Sequence, residues 1–378
     1  MLHHSWIEIS KSALLHNISQ YKQLLAPQTL LAPVIKSNAY GHGILEVGSI
    51  LDESPMVDYL CVVSLSEAIL LRSHGITKPL LVLSFLDADL NQIALQDIDV
   101  TIYDITIAQM LNSIGQKHNT CIAVHIKIDT GLSRLGVRYE DAYDFILTCA
   151  RLSHLEVRGV FSHFAASERS DLSFSYTQLA RLQDVIEKLE TTDKLFIPHK
   201  HCAASAALTA LPESHLTFAR LGISTYGLWS SAEIKVRTEL MHPGFSLQPV
   251  ATWKTRVIAR KTIPAGSFVG YDCTYQTATA TEIAVLPIGY FDGYDRKLSN
   301  QSCVKINDQL FPIRGRIAMN LCMVDVTAAH HSIEVGDEVV LLGNDHLITA
   351  ETLAEQSATI NYEFIARINP ALKRIIVA

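Results

Sequence analysis

The sequence predicts an α/β fold joined to a β fold: an N-terminal (β/α)8 TIM-like barrel followed by a C-terminal all-β domain. Two observations carry this. From residue 30 to about residue 228, short apolar runs alternate with polar turns and helix-period segments, the pattern of βαβ units and a parallel sheet. Beyond about residue 240 that periodicity fades into short strands separated by Gly or Pro turns. The first part holds eight such units in about 200 residues, which suits a closed barrel better than an open sheet. No GxGxxG follows its first strand, which argues against a dinucleotide-binding fold.

The eight candidate barrel strands are Leu31–Ile35, Tyr59–Val63, Leu80–Leu83, Val100–Tyr103, Cys121–Ile128, Leu155–Phe161, His199–Cys202 and Phe218–Leu221. Helices are expected between them, including Ser66–Ser73 and Tyr176–Leu189; in the second, apolar positions recur at three and four. In the C-terminal part, Val250–Val257, Ile283–Leu286, Val304–Ile306 and Val339–Leu342 read as strands, with one late helix over Ala350–Ser357 capped by Thr349. The barrel is expected over residues 11–238 and the β domain over 239–378, with an N-terminal strand within residues 1–10 joining the latter.

Length and composition agree. At 378 residues the chain has room for two domains, and 48% hydrophobic against 18% charged residues supplies a sizeable core. A net charge of −7 argues against a nucleic-acid binder. No apolar run reaches the length of a membrane span, and the start Met1-Leu-His-His-Ser-Trp6 has no secretory pattern. Seven scattered cysteines, never spaced CxxC, fit reduced thiols and a cytoplasmic location.

The chemistry-bearing residues gather at expected strand ends, where a parallel barrel builds its active site. Lys36 follows the apolar run Leu30–Ile35, where partial desolvation would lower its pKa as a Schiff-base lysine needs; a plain surface lysine is the alternative. In Val124–Asp129, alternation puts His125, Lys127 and Asp129 opposite three apolar residues, hence inside the barrel. Ionisable groups there are costly unless paired or functional, and a Lys127–Asp129 ion pair is the simple alternative. Arg134 sits in a glycine-flanked loop and can clamp a carboxylate. His163 ends the sixth strand, where a lone histidine is more often hydrogen-bonded packing than catalytic. His199 and His201 share a face, without a carboxylate or Cys at metal-ligand spacing, so no metal is expected. The loop after Arg220 carries Gly222, a habitual phosphate position in this fold. In the C-terminal part, Tyr271, Tyr290 and Tyr362 lie in segments read as loops.

Together these motifs resemble the alanine racemase family, along nearly the whole chain from Trp6 to Arg374. The resemblance implies a pyridoxal 5'-phosphate enzyme that interconverts L- and D-alanine for bacterial cell-wall synthesis. Lys36, in Val-Ile-Lys-Ser-Asn-Ala-Tyr-Gly-His-Gly, matches the lysine that forms the internal aldimine, and Tyr40 matches a phosphate ligand. Lys127 matches a lysine carboxylated in many members, whose carbamate would hold Arg134. Arg134 and the backbone of Met319 match substrate-carboxylate contacts, and Tyr290 an entrance tyrosine. His163 matches the histidine packed on the cofactor ring, and Arg220 the partner of its pyridine nitrogen. Ser205, Gly222, Ile223 and Tyr362 match the rest of the phosphate site. Tyr271 matches the second base, which in the family reaches the lysine of a partner subunit, so a homodimer with shared sites is implied.

Departures from the family pattern bear on the substrate. They are Ala204 in His201-Cys-Ala-Ala-Ser205, Gly270 and Asp272 around Tyr271, and Ala318 and Asn320 around Met319. A racemase for serine or a broader set of small amino acids is therefore the alternative reading. A decarboxylase lacks its glycine-triplet loop here, and a non-catalytic carrier would not keep the C-terminal β domain.

Overall fold

The computed structural model describes residues 4–378, so the first three positions of the expected N-terminal strand lie outside the described residues. The chain packs as two compact units. One comprises residues 15–37 and 48–248; the other comprises Met1–Leu14, Asn38–Val47 and Pro249–Ala378.

The chain opens with β1 (Ser5–Ser10), a strand of the second unit, and then enters the first. There β2 (Leu30–Pro33), β3 (Leu60–Ser64), β4 (Leu80–Phe85), β5 (Ile98–Ile102) and β6 (Ile122–Asp129) appear in turn. They are followed by the two-residue β7 (Val137–Arg138), then β8 (Leu155–Phe161), β9 (His199–His201) and β10 (Phe218–Leu221). The strands β3-β4-β5-β6-β8-β9 form one parallel sheet, with β7 pairing off β6, and β10 pairs parallel to β2. Two links close the ring: the Val34–Cys61 bridge joins the β2 segment to β3, and Thr217 N–H donates to Lys200 O at 3.2 Å beside β9. The result is the (β/α)8 barrel, with every expected strand present to within a few residues.

Its strands are buried on both faces, as near-continuous Leu, Val and Ile runs require. Its helices start where their caps say they should. Ser64 accepts the Glu67 N–H ahead of Leu65–Ser73, and Asp104 accepts those of Thr106 and Ile107 ahead of Ile105–His118. Between β6 and β8 the register shifts at Val124/His125, which pushes Arg158 out of the ladder opposite them.

The second unit contains β11 (Ala251–Arg256), β12 (Ala259–Ile263), β13 (Thr281–Leu286), β14 (Cys303–Ile306), β15 (Gln309–Pro312), β16 (Cys322–Asp325), β17 (Glu338–Leu342) and β18 (Lys373–Val377). One sheet runs β15-β14-β17-β11-β1-β18 and a second runs β12-β13-β16. Pairing is antiparallel except between β1 and β18. The unit is mostly β, but two helices follow one another, Ala350–Gln356 and Asn361–Ala366. The first has the expected Thr349 cap; the second, which carries Tyr362, was expected as a loop. Six residues are too few to display a helical period in the sequence. No helix of the described residues is long and apolar enough to cross a membrane.

Candidate active site

Lys36 stands where the barrel backbone is gripped from both sides. Val34 N–H donates to Leu221 O at 2.7 Å and Ile35 N–H to Cys61 O at 2.8 Å, so the residue after them emerges from a fixed point. Ser37 N–H donates to Glu67 Oε1 at 2.6 Å, while Glu67 Oε2 takes the Val63 N–H at 2.9 Å. Burial lowers the Lys36 pKa; Arg134 and Arg220 lower it further, against the opposing pull of Glu67. Glu67 is absent from the sequence-based expectations, because it sits in the first turn of a helix like any capping-region acid.

Lys127 projects into the barrel and is 6% exposed, its ammonium 5.3 Å from the Phe161 ring centre. Burial, with Arg220, Arg134 and Lys36 adding to it, lowers its pKa to about 8, with Asp129 opposing. The simple Lys127–Asp129 pair does not account for either residue. Asp129 turns to its own loop instead, accepting the N–H of Gly131 and of Ser133, each at 3.0 Å. That loop presents Arg134 on the surface, exposed.

Arg220, on β10, is buried at 3% exposure. Its Nη2 donates to Ser162 O at 2.9 Å and Cys202 O at 3.0 Å, and lies 3.3 Å from His163 Nδ1; Nη1 meets His201 Nδ1. His163 is half-buried, and burial followed by Arg220, Arg134, Lys127 and Lys36 drives its pKa well down, so it is neutral. The Ser205 hydroxyl opens the helix Ser205–Ala210 and accepts the N–H groups of Gly222 at 3.0 Å and Ser224 at 3.3 Å. Ile223 follows Gly222, buried, in a short helical turn. The barrel thus brings together Lys36, Lys127, Arg134, His163 and Arg220, linked by mutual repulsion or direct contact, and separately Ser205 with Gly222.

Asp99, His125 and His201 extend this cluster inside the barrel. His125 Nδ1 lies 2.8 Å from His201 Nε2, and His125 Nε2 lies 3.5 Å from Asp99 Oδ2. Asp99 also receives Arg158 Nη1 at 2.8 Å and the Tyr59 hydroxyl at 3.2 Å. The signal for Asp99 was a lone carboxylate within the apolar strand Ile98–Ile102.

The other candidates lie in the second unit. Residues 37–40 all have φ between 52° and 55°, a left-handed turn of four non-glycine residues that carries Tyr40. Left-handed turns of L-residues cost about 1–2 kcal/mol per residue, so the surroundings must hold this one. Within the unit, Asn38 Oδ1 accepts the Ile44 N–H at 2.9 Å, and the buried His42 donates from Nδ1 toward the carbonyls of Ala39 and Tyr40. Gly41 at φ +87° has no room for a Cβ, which would come 2.1 Å from Ile365 O. This closeness sets the turn against the helix of Tyr362, whose ring centre is 6.3 Å from that of Tyr40.

Tyr271 opens a short turn and is 69% exposed; Asp272 beside it has φ 62° and pairs with Arg296 at 3.3 Å and Arg316 at 3.6 Å. Tyr290 and Met319 are brought together: Tyr290 N–H donates to Ala318 O at 3.2 Å and Phe291 N–H to Met319 O at 3.0 Å. Both side chains are exposed. Among the described residues no cluster of His, Cys, Asp or Glu has the makings of a metal site.

The family model described as alanine racemase, N-terminal domain, matches residues 9–230, and that described as alanine racemase, C-terminal domain, matches residues 250–376. The chain is 36% identical over 373 residues to an alanine racemase of Halothermothrix orenii, covering 98% of this chain and 96% of that one. It is 36% identical over 378 residues to an alanine racemase of Methanococcus maripaludis, covering 99% and 98%. Among solved structures, an alanine racemase of Clostridium difficile superposes with a TM-score of 0.92 at 32% identity, covering 100% of this chain and 96% of that one. A histidine racemase of Leuconostoc mesenteroides superposes with a TM-score of 0.87 at 27% identity, covering 100% and 98%.

Proposed function

This chain belongs to the alanine racemase family, pyridoxal-phosphate-dependent isomerases, and from that premise we propose that it interconverts L- and D-alanine by a two-base mechanism. The observation that carries the reading is the cationic cluster formed by three barrel residues and one arginine of the exposed loop. Lys36, Lys127, Arg134 and Arg220 depress one another's or a neighbour's basicity. Such a cluster suits a ligand with a phosphate, a phenolate and a carboxylate to place.

The residues fit the cofactor. Lys36 supplies a primary amine made more nucleophilic by its lowered pKa, for covalent attachment to the aldehyde. Arg220 would donate to the pyridine nitrogen; as it does not surrender its proton, that nitrogen stays unprotonated. His163, neutral, would pack on the ring. Ser205, the N–H groups of Gly222 and Ile223, and the hydroxyls of Tyr40 and Tyr362 would hold the phosphate. When bound, pyridoxal phosphate supplies an electron sink that makes the Cα proton of an amino acid removable. Lys36 would move that proton on one face and Tyr271 of the partner subunit on the other. Arg134 and the Met319 backbone would hold the substrate carboxylate, with Tyr290 at the entrance.

The partner subunit enters because Tyr271, Tyr290, Phe291, Met319 and Leu321 are exposed on their own unit, and exposed aromatic and apolar side chains in number mark an interface. A head-to-tail homodimer would cover them. Lys127, neutral in roughly a tenth of molecules at pH 7 if its pKa is about 8, is positioned to add carbon dioxide and become an anionic carbamate facing Arg134 and Arg220. The product D-alanine would serve bacterial cell-wall synthesis, in the cytoplasm, where the free cysteines are at home.

A second reading, a racemase for serine or other amino acids, is favoured by the histidine racemase among the structural relatives and by Asp272, whose charge is engaged by Arg296 and Arg316 beside Tyr271. Incubating the protein with added cofactor and an amino-acid panel in heavy water decides between them. Alanine should exchange its Cα proton and racemise fastest. Faster turnover of another amino acid would install the second reading, and no racemisation at all would refute both.

A further inference from the structure

We propose that Asp99 is a positioning residue: acting through His125 and His201, it stabilises the one direction of hydrogen bonds that holds Arg220. The proposal rests on the reading above in one respect, that Arg220 is the residue facing the cofactor's pyridine nitrogen.

Arg220 is a buried cation whose hydrogen-bonding partners are the carbonyls of Ser162 and Cys202 and the imidazoles of His201 and His163, with no carboxylate among them. A guanidinium has only donors, so His201 Nδ1 must accept. His201 then carries its proton on Nε2 and donates to His125 Nδ1 at 2.8 Å. His125 in turn carries its proton on Nε2, which is buried without a hydrogen bond and faces the Asp99 carboxylate as an electrostatic contact, with Oδ2 at 3.5 Å. Every donor in the row points away from Arg220 and toward Asp99. Burial lowers the pKa of both histidines, against the pull of Asp99 on His125, in keeping with neutral rings.

The opposite arrangement, with a proton on Nδ1 of each ring, would set His201 N–H against the Arg220 N–H, donor against donor. Arg220 at one end, which can only donate, and Asp99 at the other, which can only accept, favour the same arrangement of the two rings. The surroundings keep the row rigid. Phe161 stacks on His201 at 4.5 Å with the planes 4° apart. Gly159 leaves the space that the His125 ring occupies, since a Cβ there would come 2.3 Å from Nδ1. Arg158 holds Asp99 by its Oδ1, and the Tyr59 hydroxyl donates to the Oδ2 that faces His125. An aspartate that orders a histidine tautomer from behind is an established device of enzyme sites; here two histidines lie in series.

Imidazole proton–nitrogen correlation spectra of the cofactor-loaded enzyme, with 15N-labelled histidine, test this. In the wild type, His125 and His201 should both be neutral with the proton on Nε2. A proton on Nδ1 of either ring, or a doubly protonated ring, would overturn the proposal. In Asp99→Leu the His125 Nε2–H loses the acceptor in front of it, so its proton resonance should move upfield and kcat should fall roughly 10-fold or more. Arg158→Met should leave the tautomers as they are. Should Asp99→Leu fail to fold, Asp99→Asn decides: loss of the charge should move the His125 Nε2 proton resonance upfield, and an unmoved resonance counts against the proposal. These spectra need no turnover. Wild-type tautomers other than expected in an enzyme that racemises alanine would remove this proposal alone, whereas expected tautomers without racemisation would remove the racemase reading.

Discussion

The Arg374 guanidinium donates to the Gly41 carbonyl from Nε at 3.3 Å and from Nη2 at 2.8 Å. Its Nη1 donates to three more carbonyls, those of Asn369, Pro370 and Leu372. One side chain near the C-terminus therefore fastens the left-handed turn that carries Tyr40, and it does so within a single unit. Burial lowers the pKa of Arg374, with Glu46 opposing; the four carbonyl acceptors are what keep it in place.

Arg374→Met should consequently leave the buried Gly41 carbonyl without its charged donor and release the part-buried carbonyls of residues 369–372. A loss of about 3 kcal/mol in stability is expected, since hydrogen bonds to charged groups contribute about 1.5–3 kcal/mol each and the losses overlap. Urea denaturation measures it. A variant as stable as the wild type would show that the turn holds itself.

Ser205→Ala removes the acceptor of two backbone N–H groups and, in the proposed function, a phosphate ligand. Cofactor affinity should fall roughly 10-fold, about 1.4 kcal/mol, as read by titrating the protein with pyridoxal phosphate. Unchanged affinity would move the phosphate elsewhere.

Lys127 offers a pH signature. Its pKa in the fold is about 8, below that of an unfolded lysine, so between those values the unfolded chain binds more protons and stability rises with pH. In bicarbonate-free buffer the wild type should gain about 3 kcal/mol relative to Lys127→Met across that window. With 13C-labelled bicarbonate at neutral pH, the wild type should show a carbamate resonance that the variant lacks. Its absence from the wild type would leave Lys127 an amine.

Tyr271→Phe should separate the two faces of the substrate. Cα exchange starting from one enantiomer should fall at least about 100-fold, while exchange from the other is largely kept. Equal losses from both enantiomers would end the two-base scheme.

Much of this molecule could be read from sequence because its signals are local. Buried parallel strands advertise themselves as apolar runs, and a threonine ahead of Ala350 caps its helix wherever that helix packs. The Lys127-bearing strand showed its polar face by simple alternation, and the ordered motifs carried the family likeness. Asp129 escaped that logic: alternation sets a direction for its side chain, but the loop amides of Gly131 and Ser133 competed for it and prevailed.

What the sequence by itself determined was the barrel, the β unit and the family. Only the tertiary structure decided that Asp99, His125, His201 and Arg220 stand in one row, since they come from four different strands, β5, β6, β9 and β10. It also decided that Ser37 to Tyr40 wind left-handed, against every local preference of those residues. The physical reason is the same in both cases. Side-chain period and capping act over a few residues, whereas a buried charge or a strained turn is settled by partners distant in sequence, which only the closed fold supplies.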